Sequence, residues 1–140
     1  VHDYLKMVGL EQFKKMAPYE LSGGMKQRAS IARVLVNDPR IILMDEPFGA
    51  LDAMTKEQMQ EVIRSIWKET HKTIFFITHD VEEALLLGTK IIVMSARPGQ
   101  IIQEYDNELP YEIEHGQSRL YRSQKEFIDK REEIVNLIQH

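Results

Sequence analysis

The sequence has 140 residues, 43% of them apolar and 29% charged, with a formal net charge of −4. That is enough chain for a domain with a real core, and the acidic balance, with a pI of about 5.7 and no basic tract, disfavours a nonspecific electrostatic grip on nucleic acid. Cysteine is absent, which removes disulfides and thiolate chemistry and fits a reducing compartment, while apolar runs such as "ALLLG" and "IILM" are core-sized rather than membrane-spanning.

In chain order, residues 2–8, "HDYLKMV", read as a short helix with Asp3 near its start and Gly9 as its stop. Pro18 then breaks the chain. Ser22, Gly23 and Gly24 lead into a helix on which Met25, Ala29, Ala32 and Val36, with Ile31 and Leu35, recur near helical spacing until Pro39 ends it. The Ser-Gly-Gly entry has two readings. It is a helix cap with turn glycines, or it is an anion site, because the first N–H groups of a helix lack partners and carry the positive end of its dipole.

"IILMD" follows, apolar on both sides, which predicts a strand buried in a parallel sheet. Residues 53–70 place Met59, Val62, Ile63, Ile66 and Trp67 on one face of an amphipathic helix. Met54 and Met59 read as core filler. "TIFFIT" predicts a second buried strand, so the connection from Ile41 to Thr78 is a right-handed strand–helix–strand crossover. "DVEEALLLG" predicts a helix with Asp80 and Glu83 spaced as a capping box and Gly88 as its stop. "KIIVMS" is a further strand, and Arg97-Pro98-Gly99 turns "QIIQEY" back beside it. Beyond Pro110 the chain is polar and ends in a helix whose Leu120, Phe127, Ile134 and Ile138 are expected to dock on the core, with Arg131 interrupting the stripe.

Ionisable residues gather where the strands stop. "IILM" ends in Asp45-Glu46 and "TIFFIT" ends in His79-Asp80, at the carboxyl edge where open α/β sheets bind ligands. An acidic pair after an apolar strand suits magnesium-assisted phosphate chemistry, one carboxylate holding the metal and the next orienting or deprotonating a water. Each residue also has a plain reading. Asp45-Glu46 is a solvated strand end, His79 a backbone-bonded strand end, and Asp52 the N-cap of the next helix. The five histidines show no metal-ligand spacing, which argues against zinc.

Order and spacing shift the balance. "LSGGMKQR", then "IILMDEPFGALD", then "ITHD" resembles the C-terminal part of the nucleotide-binding subunit of ATP-binding cassette (ABC) transporters, as signature motif, Walker B strand with D-loop, and switch histidine. "HDVEEALLLGTKIIVMSARPGQI" is similar to the nitrate, sulfonate and taurine importer branch, and Met25 stands where the broad family has glutamine but this branch often has methionine. The resemblance covers residues 1 to about 106.

It implies an α/β fold, an incomplete three-layer P-loop NTPase sandwich with part of the helical subdomain. Its segments are residues 1–36 with the signature helix, 37–106 as catalytic core and 107–140 as tail. It further implies ATP and Mg2+ as ligands, with Asp45 in the magnesium shell, Glu46 polarising the hydrolytic water and His79 at the γ-phosphate. Ser22, Gly23 and Gly24 would wrap the γ-phosphate of ATP held by the opposite subunit, and Asp52 would communicate across the dimer. The implied partners are a second ATPase subunit, a transmembrane permease and, indirectly, a solute-binding protein, with no nucleic acid. The implied place is cytoplasmic, on the inner face of the cell membrane. Other readings are a noncatalytic dimerisation or regulatory piece, or a cassette ATPase of chromosome or ribosome function.

A P-loop needs a Gly-rich turn ending in Gly-Lys-Ser or Gly-Lys-Thr. None of the seven glycines is followed by lysine. The chain is therefore expected to be a fragment of a longer ATPase, inactive alone, with an exposed sheet edge that invites self-association.

Overall fold

The computed structural model describes residues 7–8 and 23–139. The break at Pro18, Ser22 and all but the end of the helix expected over 2–8 lie outside the described residues. The chain divides at Ile77/Thr78 into two compact units.

The first unit contains α1 (Gly23–Val36), β1 (Ile41–Asp45), α2 (Ala53–Thr70) and β2 (Thr73–Ile77). The strands pair in parallel, from Ile41 opposite Thr73 to Asp45 opposite Ile77, so their carboxyl ends finish level. Contacts at the other end set this register. The Lys72 ammonium donates to Asp38 Oδ1 at 2.6 Å and to the Pro39 carbonyl at 2.7 Å, and the Thr73 N–H donates to the Arg40 carbonyl at 3.1 Å. The loop entering β1 is thereby tied to the start of β2, and a one-residue slip, which would exchange the two faces of the strand, is blocked. α2 ends at His71, whose left-handed φ of 55° lets its N–H reach the Trp67 carbonyl.

Ile31, Ala32 and Leu35 of α1, Ile42 of β1, and Met59, Ile63 and Ile66 of α2 are buried, and α1 and α2 lie in contact. Only one face of the strand pair joins this burial. Ile41, Leu43, Phe75 and Ile77 on the other face are 61%, 76%, 55% and 47% exposed, where the sequence predicts burial on both faces. Side chains alternate across a strand, and among the described residues no second layer covers that side. Met54 is also corrected: it is exposed while Met59 is fully buried. Five residues rotate a helix by about 140°, so the two methionines cannot share the inward face.

The second unit contains α3 (Val81–Leu87), β3 (Lys90–Met94), β4 (Ile101–Asp106), α4 (Leu109–Glu112), α5 (Ser118–Arg122) and α6 (Lys125–Gln139). β3 and β4 form the expected antiparallel hairpin, running from Lys90 opposite Asp106 to Met94 opposite Ile101. Its turn is closed by the Ser95 N–H donating to the Gln100 carbonyl at 2.8 Å and the Gln100 N–H donating to Ser95 Oγ at 3.0 Å. One core joins Leu85, Leu86, Ile91, Val93, Ile113, Phe127 and Ile134.

The expectation that Leu120 and Ile138 dock there does not hold, since both are exposed. On α5, Ser118 and Tyr121 turn inward at i and i+3, which leaves Leu120 outside. On α6 the inward stripe runs Phe127, Ile134, Leu137 and passes Ile138 by.

Urea unfolding checks this division of the first unit. Leu43→Ser and Phe75→Ser should stay within about 0.5 kcal/mol of wild type, as surface changes do, while Ile63→Ala loses about 2–5 kcal/mol. Sedimentation of the same two surface variants should show less self-association than wild type.

Candidate functional site

The level ends of β1 and β2 place the acidic pair. Asp45 is the last residue of β1, and the Glu46 N–H donates to the Ile77 carbonyl at 2.7 Å, extending the ladder one residue past the strand. Glu46 has a φ of +43°, a left-handed conformation that costs a residue with a Cβ about 1–2 kcal/mol. Such a conformation persists only when its surroundings impose it. Here the Ile77 bond fixes one side, and the Gly49 N–H donates to the Glu46 carbonyl at 3.4 Å. Phe48, fully buried with its ring 5.7 Å from that of Phe76, anchors the turn between them. Both carboxylates of the pair are exposed.

The same loop ends at Asp52. The Leu51 N–H donates to the Phe48 carbonyl at 3.2 Å, and Asp52 caps α2, its Oδ2 accepting from the Thr55 N–H at 3.3 Å. The Thr55 hydroxyl first, and then its N–H, hold the Asp52 carboxyl below the ordinary aspartate range.

Thr55 also faces α1. A Cβ at Gly24 would meet Thr55 Cγ2 at 2.6 Å, so a side chain at Gly24 would force Thr55 or the start of α1 to shift. Gly23 opens α1. Asp45 thus ends the strand, Glu46 and Asp52 bound the loop that follows it, and Gly24 lies against the helix that Asp52 caps. Sequence patterning singles out neither Thr55 nor Phe48. Phe48 leaves one signal, a lone aromatic inside a Pro-Phe-Gly turn.

His79 is the second residue of the second unit and is exposed. Beside it, Thr78 Oγ1 accepts from the Asp80 N–H at 3.0 Å and Asp80 Oδ1 accepts from the Glu83 N–H at 3.3 Å. The expected cap on α3 is therefore formed from the aspartate side. Ser22 lies outside the described residues.

The donor set suits a hard cation in one way. Among the described residues no three histidine or acidic side chains converge into a cage. Magnesium is usually held by one or two carboxylates completed with water and phosphate oxygens, and the exposed Asp45-Glu46 tip fits that mode.

The sequence pattern of the family described as ABC transporter matches residues 1–49. Over 140 residues the chain is 56% identical to the taurine import ATP-binding protein TauB of Roseobacter denitrificans, covering 99% of this chain and 52% of that protein. This chain belongs to the ABC transporter ATP-binding subunits. Its fold agrees with those of ABC cassettes. It resembles cbiO1 from Clostridium perfringens, part of the ABC transporter complex cbiONQ, with a TM-score of 0.70 and 30% identity over 94% of this chain and 51% of that one. It also resembles the dimeric structure of MJ0796, a bacterial ABC transporter cassette, with a TM-score of 0.58 and 40% identity over 74% of this chain and 44% of that one. The chain spans about half the length of the curated relatives it matches. Among the described residues of this ABC subunit, no helix is long and apolar enough to cross a membrane.

The contact between α1 and α2 predicts a paired rescue. Gly24→Ala should lose about 1–3 kcal/mol through overpacking, and adding Thr55→Ser, which removes Cγ2 but keeps the hydroxyl, should restore most of it in thermal melts. The Asp52 cap predicts a pH dependence. Its lowered pKa adds stability that is fully present above about pH 3.9, the unfolded value, and is lost as pH falls through the folded value. Asp52→Ala should therefore melt below wild type at pH 7, and the gap should close in acid.

Proposed function

We propose that this chain is the part of an ABC importer's ATP-binding subunit that carries the signature helix, the Walker B strand, the D-loop and the switch histidine. The solute of that importer is taurine or a related sulfonate. The observation that carries the reading is the Asp45-Glu46 tip: two exposed carboxylates level with the end of the neighbouring parallel strand, the second held in a strained backbone conformation. The 56% identity to a taurine import ATP-binding protein supports the choice of branch.

In the proposed reaction Glu46 orients a water and takes its proton as the water attacks the γ-phosphorus in line, while the bond from that phosphorus to the β–γ bridging oxygen breaks and ADP leaves. Its fixed backbone sets the direction in which the side chain leaves the strand end. Asp45 holds the magnesium ion, which when bound would neutralise charge on the phosphate oxygens. His79 donates to the γ-phosphate. Ser22, Gly23 and Gly24 of one subunit present helix-start N–H groups to ATP on its partner, and Asp52 lies at the start of the helix against which Gly24 packs. The chain falls into residues 1–36 with the signature helix, 37–106 as catalytic core and 107–140 as tail.

The partners are a second ATPase subunit, a permease in whose company the subunit sits on the inner face of the membrane, and through it a solute-binding protein. The dimeric state of MJ0796 supports the first. The Gly-Lys-Ser/Thr turn that cradles the phosphates is absent from this sequence, so the chain alone binds ATP weakly and the rest of the subunit supplies that turn.

In the complete subunit Glu46→Gln should cut ATP turnover by about 10²–10⁴-fold, the usual worth of a general base, and leave ATP-bound dimers visible by size exclusion. Turnover at the wild-type rate overturns the role of Glu46. Fluorescent ATP-analogue titration separates the noncatalytic alternative: a complete subunit that binds no analogue refutes the ATPase reading.

A further inference from the structure

The turn carrying His79 leads directly into α3, and α3 has only seven residues. A helix that short has no independent stability in water, so its position must come from whatever holds it. Residues beyond 106 hold it on three sides.

Along its apolar face, Leu85 and Leu86 join a core with Ile113, Phe127 and Ile134. At its C-terminal end the Asn107 side-chain amide donates to the Leu85 carbonyl at 2.7 Å and to the Gly88 carbonyl at 2.8 Å. These two bonds satisfy acceptors that a helix end and its following turn otherwise leave open. Along its polar flank Glu82 Oε1 accepts from Arg131 Nη1 at 2.9 Å, and Arg122 Nη1 stands 3.8 Å from Glu82 Oε2. The other nitrogen of the Arg131 fork binds Glu132 at 3.1 Å. An isolated exposed ion pair is worth little, but one carboxylate held by two arginines, with the first arginine fixed by a second carboxylate, forms a network of defined geometry. At the N-terminal end, Thr78 and Asp80 lock the His79 turn onto α3 through the bonds from the Asp80 and Glu83 N–H groups. Any displacement of α3 therefore moves His79.

We propose that residues 107–139 brace the His79 turn, with Arg131 and Asn107 as positioning residues that act through α3. The brace gives a role to the arginine that interrupts the apolar stripe of α6, and to a tail whose sequence carries no chemistry of its own. Its effect on catalysis rests on the reading that His79 meets the γ-phosphate. Its effect on His79 itself does not.

Two readouts test it. In this chain, the His79 imidazole resonances should shift in Arg131→Ala and in Asn107→Ala, and return toward wild type in Arg131→Lys, which keeps the Glu82 pair. Lys130→Ala is the control, because Lys130 sits on the same helix but lies over the Tyr105 ring and against Glu133. It should leave those resonances unchanged. In the complete subunit Arg131→Ala should lower kcat about tenfold with KM nearly constant, since small misplacements of a reacting group cost up to about 10²-fold. Unmoved His79 resonances in both Arg131→Ala and Asn107→Ala overturn the brace. Should Arg131→Ala not fold, Asn107→Ala and Arg131→Lys decide on the same readouts. His79→Ala that turns over ATP normally would refute the functional reading alone, and the resonances would still decide the brace.

Discussion

The parallel pairing of β1 with β2, ending with Asp45 level with Ile77, is the constraint from which the candidate site follows. Because the ladder runs one bond further, from the Glu46 N–H to the Ile77 carbonyl, Glu46 is held where a strand would normally release its chain into a loop. The buried Phe48 then forces the chain to turn at once, and the left-handed φ of Glu46 is the cost of both demands. Register, turn and carboxylate are thus one feature. The Lys72 contacts to Asp38 and Pro39, at the far end of the strands, belong to it as much as the acids do.

The two units solve the problem of short elements differently. In the first, α2 is long and is capped by Asp52, and Gly24, lacking a Cβ, admits the close approach of Thr55. One threonine therefore links the start of α1 to the loop that follows the acids. In the second, α3 is too short to position anything unaided, and the bonds from Asn107 and Arg131 replace length with attachment. Both arrangements tie a residue of the proposed nucleotide chemistry to side chains outside that proposal.

Much of this was legible in the sequence, and for definite reasons. The caps at Asp52 and Asp80 and the stop at Gly88 are local, set by hydrogen bonds within one turn. The α2 helix and the β3–β4 hairpin follow from apolar period and turn chemistry. Burial was less legible. "IILMD" and "TIFFIT" are apolar on both faces, yet Leu43 and Phe75 lie open, because a residue's hydrophobicity states what it would bury against but not whether a neighbour is present to cover it. Leu120 and Ile138 were misplaced for a related reason. On short or edge segments, a shift of one residue in the inward stripe decides which of two apolar side chains is used.

The sequence by itself determined the order of the elements, their caps, and the chemical types delivered to the strand ends, since these depend on neighbours a few residues away. Only the tertiary structure decided that Glu46 is strained, that a Cβ at Gly24 would press on Thr55, and that Arg131 serves Glu82. Each of those facts depends on a contact between residues 31 or more positions apart, or on a turn forced between two strands, and nothing in local periodicity records which distant partner the fold will bring near.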